Sequence, residues 1–272
     1  MCAVDGFLLP AACLAAFLLW QVIKVISVLR RGRRHTQADG DMRFSSGSCS
    51  LARAWPWENQ DACFTAERHF GVFDGVSAAS NSRKYAQQLA AVTKQALTQA
   101  DREGYGDYAW PGQAQAVLRE AVAAASRVDG AATACLLRLD SDRRSAAVYN
   151  LGDSGFLLLS PTGDDSFRVS ATSAPRTHSD GSPFQLAGAS LISDSPSSGT
   201  AATHALLPGQ VAILHTDGLL DNIDVRDVAS IVTSTHRAGS AALATALAQA
   251  ARRAGRVSDD ITVVAISIAD ST

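Results

Sequence analysis

Carboxylates recur at the edges of apolar runs in this chain. FGVFDGV (residues 70–76) ends on Asp74 with Gly75 after it, and VAILHTDGLLDN (211–222) ends its run on Asp217 with Gly218 after it. SDDITV (258–263) places Asp259 and Asp260 where a third run begins, and Asp61, in ENQDACF, precedes the first. A glycine behind a strand-end acid lets the backbone turn close to whatever the carboxylate holds. A single Asp-Gly pair is an ordinary turn. Its recurrence at separated strand edges points instead to one oxygen-only metal site.

Carboxylates without cysteine or histidine suit hard cations, Mg²⁺ or Mn²⁺, rather than Zn²⁺. Acids forced together repel unless a dication neutralises them. Two such ions ~3.5–4 Å apart can activate a water and clamp a phosphoryl oxygen beside it, which is what hydrolysis of a phosphate ester needs. A covalent aspartyl-phosphate route of the D-x-D type lacks its nucleophile, because Val72 and His215 stand two residues before Asp74 and Asp217. No G-x-S-x-G, Walker A or G-x-G-x-x-G pattern is present either. His215 reads as a buried, satisfied histidine and Ser154 as a turn residue.

The elements that must position these acids follow from periodicity. Ser80 or Asn81 can cap a helix to about residue 100, with Tyr85, Leu89, Val92, Ala96 and Leu97 as its apolar stripe, and a second helix covers about 113–128. Residues 132–139 and 146–151 flank a charged turn and read as a hairpin; strands follow at 155–160 and 167–171. Residues 172–200, rich in Ser, Pro, Gly and Asp, read mostly as loop. A buried strand at 211–216, helices at 225–235 and 240–254, and a central strand at 261–268 complete the order. This is not the alternation of a doubly wound sheet, so the fold class is α+β with antiparallel sheets and helices outside.

A length of 272 residues suits one domain plus an appendage, and the net charge of −2 gives no case for nucleic-acid binding. Five scattered cysteines without a C-x-x-C pair read as reduced thiols in a reducing compartment. The appendage is N-terminal. Residues 6–29 are almost wholly apolar and are followed at once by Arg30, Arg31, Arg33 and Arg34. A run of this length can cross a membrane, and the arginines place the domain on the cytosolic or equivalent side. A cleaved mitochondrial or plastid presequence and an internal core helix are the alternatives. The expected organisation is an anchor or targeting segment at 1–34, a polar linker at 35–50 and the globular domain at 51–272.

DACF, VFDGV, ATACLL, NLGDSGF, SPFQL, SDSP, TDGLLDN and SDDITV stand in the order found in the metal-dependent type 2C (PPM) protein phosphatases, and residues 51–269 resemble that family, closest to the branch of the mitochondrial type 2C phosphatases. The resemblance implies a four-layer α-β-β-α sandwich, two antiparallel sheets flanked by helices. It implies a monomeric Ser/Thr phosphoprotein phosphatase with two, or with a weaker third three, Mg²⁺ or Mn²⁺ ions. Asp74 and Asp217 would then be the central catalytic acids, with Asp61, the Gly75 carbonyl and Asp259 completing the metal set. Asp153 of GDSG matches an acid associated with the third ion; a plain turn acid is its other reading. Asp260, after the ligand, would hydrogen-bond locally. Two features depart from the family pattern. Val76 stands where many members carry a histidine assigned as general acid, and Trp55, Pro56 and Trp57 occupy the region of the usual phosphate-binding arginine, with Arg53 nearby. A phosphoprotein-binding regulator without catalysis, on the same fold, is the competing function; it would be favoured by a missing metal carboxylate.

Overall fold

The computed structural model describes residues 42–53, 58–104 and 109–271. The described residues open with strands β1 (Met42–Leu51), β2 (Ala62–Thr65) and β3 (His69–Phe73), then helices α1 (Ser82–Arg102) and α2 (Gly112–Ala125). A block of strands follows: β4 (Ala131–Ala132), β5 (Ala134–Asp140), β6 (Ser145–Leu151), β7 (Gly155–Pro161), β8 (Phe167–Thr172), β9 (Leu186–Ala187), β10 (Thr200–Ala205) and β11 (Val211–His215). The last elements are the short α3 (Asp217–Leu220), α4 (Val225–Thr235), α5 (Ser240–Ala254) and β12 (Ile261–Asp270).

Two five-stranded sheets result, with orders β1-β12-β11-β7-β8 and β10-β6-β5-β3-β2, and every strand pair in them is antiparallel. The period-2 alternation explains why they stack. Phe70 and Val72 of β3, Leu137 and Leu139 of β5, Phe156 and Leu158 of β7, and Val264 and Ile266 of β12 meet between the sheets. Their alternate neighbours face outward. Phe73, Leu136 and Leu151 pack against Tyr85, Leu89 and Leu97 of α1 and Leu118 of α2. Leu157, Ile213 and Val263 pack against Val228 of α4 and Leu243 and Leu247 of α5. Three apolar layers between four layers of structure make the α-β-β-α sandwich expected above.

One boundary is corrected. Residues 42–50, read as linker from their serines and glycine, form β1, which pairs with β12 from Met42↔Asp270 to Leu51↔Ile261. It is an edge strand with much of its surface in water, so small polar residues suffice, and Gly47 lets it lie against α5, where a Cβ would sit 2.4 Å from Ala241. The loop expected at 172–200 holds only β9 and a short 3₁₀ turn, while β10 was not foreseen. Among the described residues no helix is long and apolar enough to cross a membrane. The apolar run at 6–29 and the tryptophans at 55 and 57 lie outside the described residues.

Candidate active site

The acids converge where strands of both sheets end on the same side. Asp74 follows β3, and its backbone is fixed by Thr133, whose N–H donates to the Asp74 carbonyl (2.9 Å) and whose Oγ1 accepts from the Asp74 N–H (3.3 Å). Thr133 Oγ1 also bonds Ser154 Oγ (2.7 Å), which ties the β6–β7 turn carrying Asp153 to the end of β3. That turn needs Gly152: its φ is +108°, and a Cβ there would lie 2.6 Å from Thr133. Gly75 is buried and bridges Ala132.

Asp217 opens α3 directly after β11. Asn222, fully buried, donates to the Gly218 carbonyl (2.9 Å) and accepts from the Val257 N–H (2.9 Å), joining α3 to the loop that carries Asp259. Gly218 lets these segments touch, since a Cβ would come within 2.0 Å of the Asp260 carbonyl. Asp61 is anchored from the same strand end. Thr216 Oγ1 donates to Asp61 Oδ2 (2.9 Å) while accepting from the Thr262 N–H (2.9 Å). Asp260 bonds across the chain rather than locally: its carboxylate accepts from the N–H groups of Arg53 (2.6 Å) and Gln60 (2.8 Å), holding the β1–β2 connection over β12.

One oxygen from each of Asp74, Asp153 and Asp217 lies within 4.8 Å of the others. Among the described residues no arginine, lysine or histidine forms an ion pair with these three. The electrostatic strain shows in their protonation. Burial, then the charges of Asp61 and Asp217, raises Asp74 well above the usual carboxylate range, and it shares a hydrogen bond with Asp217. Burial and the charges of Asp153, Asp259 and Asp221 push Asp217 up to about 7, against the bond from Asp74. Asp61 is pushed up to about 8 by burial, despite bonds from Thr262 and Thr216. Asp153 and Asp259 are raised for the same first cause.

Asp61, Asp153 and Asp217 each keep a buried Oδ1 without a hydrogen-bond partner. A buried acceptor left unpaired costs free energy that a cation would recover. Clustered, orphaned carboxylate oxygens with no thiol or imidazole in the set fit Mg²⁺ or Mn²⁺. Asp153 thus lies in the close triple as well as in the turn between β6 and β7.

Asp61 and Asp259 stand beside the close triple rather than in it, felt by its members as neighbouring charge. One carboxylate went unread in the sequence. Asp221, whose own carboxyl is raised by burial, adds its charge to Asp153, Asp217 and Asp259. It lies one helical turn after Asp217, a spacing that TDGLLDN displays once that stretch is read as a helix start. Arg53 is half-buried, and its charge opposes the rise of Asp259. His215 is a core residue: Nδ1 bonds the Thr216 carbonyl (3.0 Å), and burial depresses it to about 4, so it is neutral.

Residues 75–269 match the family model described as Stage II sporulation protein E (SpoIIE). The protein phosphatase PTC7 homolog fig of Drosophila simulans is 35% identical over 120 residues, which are 41% of this chain and 36% of that protein. The probable protein phosphatase 2C 55 of Arabidopsis thaliana is 30% identical over 209 residues, 72% of this chain and 40% of that one. The chain thus spans well under half the length of these relatives. In three dimensions it is similar to the photosystem II phosphatase PBCP, with a TM-score of 0.68 at 21% identity, covering 82% of this chain and 98% of that chain. The catalytic domain of the serine/threonine phosphatase PstP, solved with two manganese ions, gives 0.63 at 18% identity over 84% of this chain and 100% of that one.

Proposed function

The chain belongs to the SpoIIE and type 2C (PPM) family of phosphatase domains, and from that premise we propose that it hydrolyses phosphoserine and phosphothreonine in proteins with the help of two Mg²⁺ or Mn²⁺ ions. The observation that carries this reading is the cluster of Asp74, Asp153 and Asp217, held within 4.8 Å and unpaired by any cation among the described residues. Bound there, hard dications would supply the Lewis acidity that lowers the pKa of water and offsets phosphoryl charge.

The residues' own tasks follow from their placement. Asp74 and Asp217, whose carboxyls burial raises in the metal-free protein, would ionise on metal binding and serve as the central ligands. Asp61 is oriented by Thr216, which occupies Oδ2 and leaves Oδ1 for a cation. Asp259 would complete the set from the β12 side, with the Gly75 carbonyl opposite. Asp153, backed by Asp221, would hold a third and weaker ion. Val76 offers no acid for the leaving oxygen, so that proton would come from water or from another residue of the site.

Titration of the full chain with Mn²⁺, followed calorimetrically, tests the assignment: two tight equivalents for the wild type and a lost equivalent in Asp74→Asn and Asp217→Asn. Binding unaltered by either substitution would remove the acids from the site. We also propose that residues 6–29 anchor the domain to a membrane. Carbonate-resistant pelleting of the chain with its N-terminus intact is the expected result; a soluble chain beginning after Arg34 would identify a cleaved targeting segment instead.

A further inference from the structure

A groove of about 500 Å³ has Asp61, the neighbour of the acid cluster, at one end and follows the outer edge of β2. One wall is β1, through Ser48 and Ser50; the other is α1, through Gln87, Ala91 and Lys94. Among the described residues, strand β2 is the last of its sheet and pairs only with β3, so half of its backbone N–H and C=O groups face the groove rather than a described partner strand. Ser48, Ser50, Gln87 and Lys94 are exposed. An unpaired edge flanked by polar side chains is the geometry that accepts an extended peptide as an added strand.

The two ends of the groove differ in charge. Asp61 marks the end at the acid cluster, where α1 begins: Ser82 Oγ donates to the Val76 carbonyl (2.6 Å), two residues past Asp74. Lys94 lies on α1 two turns beyond Gln87 and is the sole cation among the described lining residues. No ion pair engages its ammonium among the described residues. From Asp61 to Thr65 the strand advances ~13 Å at ~3.3 Å per residue, and from Gln87 to Lys94 the helix advances ~10 Å at ~1.5 Å per residue. Lys94 therefore stands beside the far end of β2, about four extended residues from Asp61.

We propose that this groove holds the extended chain flanking the phosphorylated residue of a protein substrate, and that Lys94 selects an acidic side chain three or four positions from that residue. The proposal rests on the phosphatase reading and gives it a substrate class. A glutamate there meets an unpaired ammonium, and a lysine meets a like charge.

The test uses the full chain with Mn²⁺ and phosphothreonine peptides carrying Glu, Ala or Lys at the third and fourth positions on either side. Each kcat/KM is taken relative to that for p-nitrophenyl phosphate, which is too small to reach Lys94. The wild type should favour Glu over Lys roughly five- to tenfold on one side of the phosphothreonine, in keeping with an exposed pair. Lys94→Glu should reverse the order. Ala91→Trp, which fills the groove from an exposed position, should depress every peptide relative to the aryl phosphate. Anisotropy of labelled phosphonate peptides gives the same ranking without turnover. An identical ranking in wild type and Lys94→Glu, by rate and by binding, overturns the proposal. A chain inert toward p-nitrophenyl phosphate counts against the phosphatase reading, and the binding ranking then decides on the groove alone.

Discussion

Replacing Asp217 by Asn should stabilise the metal-free protein. Without ions, Asp217 must ionise in a buried site beside Asp153, Asp259 and Asp221, and burial with these charges holds its carboxyl at about 7 against an ordinary 3.8, despite the bond from Asp74. At ~1.4 kcal/mol per pH unit, that gap withholds about 4 kcal/mol of folding stability above pH 7. The direction follows from linkage. A raised carboxyl means that the folded state binds more protons than the unfolded one between pH 4 and 7, so wild-type stability falls as pH rises through that window. Asparagine carries no charge and keeps a hydrogen-bonding partner for Asp74, so it should recover roughly 2–4 kcal/mol at pH 8 and less at pH 5. For a domain of this size the gain is a Tm rise of roughly 5–10 °C. Scanning fluorimetry in EDTA at the two pH values measures it, and Mn²⁺ should then stabilise the wild type far more than the variant. A metal-free variant that melts at or below the wild type at pH 8 would refute the reasoning, as would a gain that does not shrink on acidification.

Three further expectations can be checked with the same material. Gly218→Ala forces a Cβ to within 2.0 Å of the Asp260 carbonyl, so it should cost about 2–3 kcal/mol and weaken Mn²⁺ binding; a neutral effect on both would show that α3 is free to shift. Asp153→Ala should lower turnover per folded molecule roughly tenfold or more while the two tight Mn²⁺ equivalents persist in calorimetry. Full activity with lowered Tm would return Asp153 to a turn role. Asp101, at the end of α1, is the opposite electrostatic case: burial would raise its carboxyl, but the bonds and charges of His69 and Arg68 outweigh that and hold it at about 2. Its contribution is present above pH 4 and lost as pH falls through 2, so Asp101→Asn should cost about 1–2 kcal/mol at pH 7 after solvent screening. Denaturant unfolding at pH 7 and near pH 2 should show that loss at neutral pH only.

The parts of this fold with a buried face were legible in the sequence. Helices at 225–235 and 240–254 appear with the expected bounds because Val228, Val232, Leu243 and Leu247 repeat at helical spacing over one core. The strands leading to Asp74 and Asp217 were visible because they are buried throughout, as β3 and β11. What escaped lies at the sheet margins. In β1 and in β10, TAATHA, much of the surface faces water, so neither shows a continuous apolar run, and register with β12 or β6 supplies the order that composition does not. Asp221 escaped for a different reason: its role comes from the helical turn begun at Asp217, which four residues of sequence cannot announce. The acids themselves were legible one by one; the closeness of Asp153 to Asp74 and Asp217 came only with the Thr133–Ser154 bond that docks its turn.

The most direct test of the account is phosphate release from a phosphothreonine peptide by the full chain, with EDTA, with Mn²⁺ restored, and with Asp74→Asn. Removing the central carboxylate should forfeit several kcal/mol of transition-state stabilisation, a fall of roughly a thousandfold. No release is expected in EDTA, recovery with Mn²⁺ or Mg²⁺, and that thousandfold fall in a variant that remains folded. Release that persists in EDTA, or an Asp74→Asn protein as active as the wild type, would contradict it.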